Sequence, residues 1–306
     1  MPFVFTDASG YMNYPETSPE FQDSVYRARY DFTRLLVDEF LKNFTQVFQD
    51  FCTSEELLCR YQAYGVPFLM GMLEGFMIPD IPESNNWIYS AEMDSPSWEW
   101  NLNHGYMVWN MFAASGGHLK GRKIISCEAM TNTRGVFKTS LEEIKQHDDM
   151  NFITGINHSV LHGFNYSPPE AGFPGWIRYG AYFSEQNPWW PYLNKWVDYN
   201  ARLSYIFQNS KPQKSIAILG PTADHWSEVG LMREPFHAEP WYLHRLWQPI
   251  SQAGYSAEYL NERVIQASEV DYGVIEYGPM EYKALILANV RSMAPQTAQK
   301  IQDPSG

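Results

Sequence analysis

The residues most able to do chemistry begin with one acid. Residues 123–130 read KIISCEAM, an apolar run with the look of a strand that carries Glu128 near its end. Strand side chains alternate, so Ile124, Ser126 and Glu128 share one face, and Ile125, Cys127 and Ala129 the other. In parallel α/β folds the C-terminal strand end is where barrel enzymes assemble their sites. A carboxylate on such a strand is costly to bury without a partner or a purpose. Glu128 is therefore the first candidate for acid–base work, against the plainer alternative of a structural acid paired with an Arg.

A second constellation lies in residues 152–164, FITGINHSVLHGF, read as the next strand. Asn157, His158 and His162 sit there, and the aromatic loop that follows carries Tyr166. Two His four apart would suit zinc on a helix, but a strand reading discounts that. On a strand, positions 158 and 162 face one way and suit sugar hydroxyls; for His158 a core histidine competes evenly. Trp189-Trp190 opens a later helix, as either a sugar platform or an aromatic anchor. Glu83, Glu92, Asp94 and Glu99 fall in residues 77–101, read as a long loop. Their oxygens would suit calcium, but they lack EF-hand spacing and an ordinary solvated loop competes. No P-loop, GxGxxG or GxSxG is present, which removes support for phosphate cradling and a serine elbow.

The elements that must position these groups follow from pattern. Ser18 can cap a helix with Pro19 in its first turn, and Phe21, Val25, Leu35, Leu36, Phe40, Phe44 and Val47 recur at helical spacing over 19–51. A short strand is expected over 60–64 and a helix over 104–117, ended by Gly116-Gly117. Ser140 and Glu143 form a capping box for another helix, and a long amphipathic helix spans 190–209. Strand and helix alternating at this spacing predict parallel strands. After 211 the character changes: SIAIL (215–219), a strand at 255–260 and ALILAN (284–289) read as the start of a doubly wound domain.

Composition sets limits. The 306 residues have 44% hydrophobic side chains and a net charge of −13, which argues for a buried core and against nucleic acid. Aromatic residues reach 16%, with 11 Trp and 20 Tyr, suiting either an aromatic core or a cleft that stacks on pyranose faces. Three cysteines at irregular spacing make neither a disulfide framework nor a zinc site. No run reaches the ~18 apolar residues of a membrane span.

Several blocks together resemble glycoside hydrolase family 106, the α-L-rhamnosidase family. They are RYQAYGVP (60–67), IPE (81–83), ASGGHLKGRKIISCEAMT (114–131), INHSVLHGFNYSPP (156–169), FPGW (173–176) and NPWW with the helix bearing Tyr199 and Arg202. The resemblance implies the C-terminal part of a (β/α)8 TIM-type barrel over 1–210. It implies the start of an amidotransferase-like α/β domain over 211–306, with both ends of the chain inside longer domains. It further implies removal of terminal α-L-rhamnosyl residues with inversion, Glu128 as general base and a carbohydrate substrate. Calcium is implied as a cofactor, with Glu83 the preferred ligand. Gln62, Tyr64, Asn157, His158, His162, Tyr166, Trp189 and Trp190 would bind substrate. Three departures stand out. Met130 replaces a Phe, Gln62 stands where many members carry an acid, and the D-S-x-E-like segment that carries the family's general acid is not found. A retaining β-galactosidase-like barrel and a non-catalytic sugar-binding scaffold are the alternatives.

Overall fold

Ser18 does cap the first helix, its hydroxyl accepting the Phe21 amide at 3.3 Å, in a computed structural model that describes residues 18–63, 72–88, 103–132, 135–164, 166–176, 180–228 and 244–303. Helix α1 runs Pro19–Phe40 and passes through a π-helical stretch, Leu41–Thr45, into α2, Gln46–Ser54. The apolar spacing finds the helix but not its buried side. Arg29, Thr33, Val37, Leu41 and Thr45 turn inward, whereas Phe21, Leu35, Phe44 and Val47 remain exposed.

Next come β1 (Arg60–Tyr61), α3 (Met72–Met77), β2 (Ile81–Ile88), α4 (Asn103–Leu119), β3 (Ser126–Asn132), α5 (Leu141–Ile153), β4 (His158–Leu161) and α6 (Leu193–Gln208). Strands β1-β2-β3-β4 form one sheet in that order, every pair parallel. Strand β2 corrects the expected loop over 77–101. Its IPESNNWI sequence is poor in the β-branched and aromatic residues that mark strands, yet its Ser84 and Asn86 side chains are buried and bonded. Behind the sheet Ser84 donates to Asn110 at 2.6 Å, and Asn110 donates to Asn151 at 3.0 Å and Thr154 at 3.1 Å. Glu92, Asp94 and Glu99 lie outside the described residues.

Helix α4 explains the tight packing. Gly116-Gly117 does not end it. A Cβ on Gly117 would stand 2.8 Å from Ile125 Cγ1, and one on Gly116 2.8 Å from Phe76 Cβ, so both glycines admit a close approach. Ile125, Cys127 and Ala129 are fully covered on the helix-facing side of β3. The capping box at Ser140 and Glu143 forms, with both hydrogen bonds made. The expected strand over 152–164 shrinks to β4, because α5 continues through Ile153.

The remaining elements are β5 (Ile216–Leu219), α7 (Thr222–Glu228), α8 (His244–Gln252), β6 (Ala257–Leu260), α9 (Glu262–Ala267), β7 (Glu269–Asp271), β8 (Val274–Tyr277), β9 (Met280–Tyr282), β10 (Ala284–Leu287) and α10 (Pro295–Gln302). Strands β10-β5-β6 make a parallel sheet, and β7-β8-β9 an antiparallel meander that the apolar pattern does not announce. Helix α4 also packs toward this second sheet. Phe112 stacks on Tyr259 at 4.5 Å, and Ser115 Oγ accepts the Tyr259 amide at 3.0 Å. A helix covered on two sides must be apolar most of the way round, as WNMFAASGG (109–117) is.

Candidate active site

Parallel register sets the residues of the first sheet in rows. Glu83, Ser126 and His158 stand side by side, and one step toward the C-terminal ends come Asn85, Glu128 and Val160. This face is polar where the helix-facing side is apolar, as the alternation in KIISCEAM predicts for Ser126 and Glu128. Glu128 is 32% exposed. Its Oε2 accepts from Asn85 Nδ2 at 2.6 Å and from Gln62 Nε2 at 3.0 Å. Its Oε1 lies 3.3 Å from His162 Nδ1. Gln62 also donates to Glu83 Oε1 at 3.0 Å, so one amide bridges both acids.

Glu83 is buried and fully engaged. Beyond Gln62 it accepts from Ser126 Oγ at 2.8 Å and pairs with Arg60 Nε at 3.2 Å. Calcium asks for six to eight oxygen ligands. Around Glu83 the neighbours are a guanidinium, an amide donor and one hydroxyl, and the positive charge is already supplied by Arg60. These residues do not fit a calcium site, and among the described residues no group of three His, Cys, Asp or Glu could hold a metal. Among the described residues Glu83 is an ion-paired, hydrogen-bonded acid.

The strand changes phase just past Glu128. Asn85 faces Glu128, yet Trp87 faces Thr131, so β3 carries one extra residue. Met130 has φ 70, a left-handed backbone that side chains other than glycine rarely adopt, and such strain gathers at functional sites. Its amide is satisfied by Asn86 Oδ1 at 2.9 Å, and Asn86 in turn donates to Asn151 at 2.7 Å. A bulge re-aims the side chain that follows it. Here it brings Thr131 onto the face of Glu128, where its Oγ1 lies 2.9 Å from His162 Nδ1. Simple alternation would have put Thr131 on the opposite face.

The other expected residues divide. Gln62 and His162 join Glu128, and His158 lies in the row beneath it. Loss of hydration and then the Arg60 charge push the His158 pKa below its usual value, which disfavours a cation there. Asn157 does not join them. It is buried at the opposite end of the sheet, its Oδ1 accepting from the Ile125 amide at 2.9 Å and its Nδ2 donating to Lys123 O at 3.1 Å. That makes it a clamp between β3 and β4. Trp189 donates Nε1–H to Thr139 O at 2.8 Å and meets Phe183 edge-on at 5.6 Å, while Trp190 is half-buried 6.4 Å from Phe164. Tyr166 is 75% exposed on the loop after β4, with Phe164, Phe173 and Trp176 also open to solvent. Tyr64 lies outside the described residues. Cys127 is no nucleophile, since burial and then the Glu83 and Glu128 charges push its thiol well above the usual range.

A cleft of about 770 Å³ lies elsewhere, lined by Lys123, Ile125, Ile156 and Asn157 at the N-terminal ends of β3 and β4. Acid–base groups converge at the other end, so size does not locate the chemistry here. Glu128 thus has one carboxylate oxygen held by two amides and the other beside an imidazole.

Comparison with known proteins agrees in direction. A family model described as alpha-L-rhamnosidase matches residues 18–304. A curated protein of Formosa agariphila, carrying a provisional beta-glucuronidase name, is 23% identical over 282 residues, covering 90% of this chain and 21% of that protein. Among solved structures, a rhamnosidase from Novosphingobium sp. PP1Y aligns with a TM-score of 0.64 at 20% identity, over 90% of this chain and 24% of the other. A family 42 beta-galactosidase aligns with a TM-score of 0.58 at 12% identity, over 97% of this chain and 43% of the other. At such identities the structural likeness speaks for the fold alone. The chain spans between a fifth and a quarter of the length of the first two relatives.

Proposed function

The chain belongs to the alpha-L-rhamnosidase family, glycoside hydrolase family 106, and from that membership we propose that the protein carrying it hydrolyses terminal α-L-rhamnosyl residues with inversion. Residues 1–210 are read as part of a (β/α)8 barrel and 211–306 as part of an amidotransferase-like α/β domain. The observation that carries the reading is the state of Glu128, whose Oε2 is tied down by Asn85 and Gln62. Oε1 is then the oxygen that takes a proton from water, as the water oxygen bonds the anomeric carbon and the bond to the leaving group breaks. A general acid protonates the leaving oxygen. His162 contacts the sugar, with Tyr166 and the aromatic loop flanking it.

One observation favours a second reading. Gln62 Nε2 bonds both acids, so its two acceptor oxygens are no more than about 6 Å apart, close to the ~5–5.5 Å of retaining pairs. Against it, Glu83 is buried and consumed by Arg60 and Ser126. Proton NMR of the sugar first released from an aryl α-L-rhamnoside separates the two. The β-anomer is expected; the α-anomer as first product would establish retention.

A further inference from the structure

Inversion needs one oxygen of the base aimed at water and kept there, and Glu128 has only half of that secured by Asn85 and Gln62. Oε1 depends on His162, and His162 is itself adjustable, on the segment that leaves β4. Its Nδ1 has two neighbours, Thr131 Oγ1 at 2.9 Å and Glu128 Oε1 at 3.3 Å. Were Thr131 to donate its hydroxyl proton to a bare Nδ1, a nitrogen lone pair would face the carboxylate. With the proton on Nδ1, the N–H is donated to Thr131 Oγ1 while Glu128 Oε1 stands 3.3 Å from the same nitrogen, and the negative charge beside it favours that tautomer. Nε2 is then an acceptor with no partner among the described residues.

We propose that Thr131 is a positioning residue for the hydrolytic reaction: by holding Nδ1 it fixes the His162 ring beside Oε1 of Glu128, and the imidazole so placed keeps that oxygen oriented for water. Three observations converge on it. The extra residue in β3 turns Thr131 onto the reacting face. The left-handed Met130 that makes the turn is held by the Asn86 side chain, itself braced by Asn151 on α5. Thr131 is 2% exposed, so its hydroxyl serves the interior of the site and not solvent. A bulge supported from behind and spent on one hydroxyl is a device, and the hydroxyl's partner is His162. Thr131 touches no substrate in this scheme; it acts through His162 and Glu128.

This inference rests on Glu128 being the base, and the test keeps the two apart. Steady-state kinetics on an aryl α-L-rhamnoside would be run on the whole protein and on Glu128→Gln, Thr131→Val, Thr131→Ala and Thr131→Ser, with thermal melts to identify the folded variants. An inactive wild type, or an active Glu128→Gln, removes the underlying reading. With that reading intact, Thr131→Val or Thr131→Ala is expected to lower kcat by roughly tenfold at unchanged KM, the scale of one hydrogen bond lost beside a charge. Thr131→Ser, which keeps the oxygen, is expected to restore most of the rate. Wild-type kcat in a folded Val or Ala variant overturns the proposal. So does a Ser variant as slow as Val, because the loss would then belong to packing at the bulge.

Discussion

At the residue scale the two acids of the site have opposite fates, set by their neighbours. Glu128 is partly exposed, with Oε2 held by two amides and Oε1 beside His162, whereas Glu83 is buried and takes Gln62 on one oxygen and Ser126 and Arg60 on the other. The same family blocks point to both, and only the three-dimensional arrangement separates the partly exposed acid from the ion-paired one. Glu128 is legible in the sequence because strand alternation and strand-end position are local properties of KIISCEAM. The role of Glu83 is not, since Arg60 and Ser126 arrive from other strands. Asn85 and Thr131 escape sequence reasoning for related reasons: one lies in an expected loop and the other on what alternation makes the wrong face. A calcium titration by calorimetry examines Glu83 directly. Glu83→Gln is expected to bind calcium as the wild type does; a lost or greatly weakened site would return Glu83 to the metal.

At the element scale the helices are legible and the strands unevenly so. Capping boxes and N-caps are written in contiguous residues, which is why Ser18 and Ser140 mark their helices by local pattern alone. Strand β2 has no such mark, because its Ser84, Asn85 and Asn86 look like loop residues until α4 and α5 supply Asn110 and Asn151. A comparable polar junction holds α5, β4 and α6 together. Asp148 is fully buried and accepts from Ser159 Oγ and Asn200 Nδ2, both at 2.8 Å. Burial outweighs these bonds and raises its pKa above the usual 3.8. A carboxyl whose folded pKa is raised contributes stability below its unfolded pKa and loses it as pH rises through the folded value. Asp148→Asn is therefore expected to gain stability relative to wild type as the pH rises from the unfolded carboxyl pKa toward neutrality. Urea midpoints across that range would read it, and a difference that stays constant with pH would contradict it.

At the scale of the whole molecule, α4 is the shared wall. It lies behind the site on one side and against Tyr259 on the other, and its His118 meets Glu258, which also accepts from Tyr282 at 2.9 Å. The change of character near residue 211 announces a second sheet, and its parallel strands β5, β6 and β10 fall close to where the apolar runs stand. The β7-β8-β9 meander is not announced, because EVDYGVIEYGPMEY (269–282) is too mixed and its runs too short to separate from loop. Assembly of the site thus depends on residues far apart in sequence, from Arg60 to His162, gathered on one edge of one sheet. The account stands or falls on the acid at the centre of that edge. The most direct measurement is kcat of the whole protein on an aryl α-L-rhamnoside, wild type against Glu128→Gln. A positioned general base contributes about 10²–10⁴ in rate, and a loss of that order in a folded variant is the expected result. A Glu128→Gln protein as fast as wild type would contradict the account and leave Glu128 a structural acid.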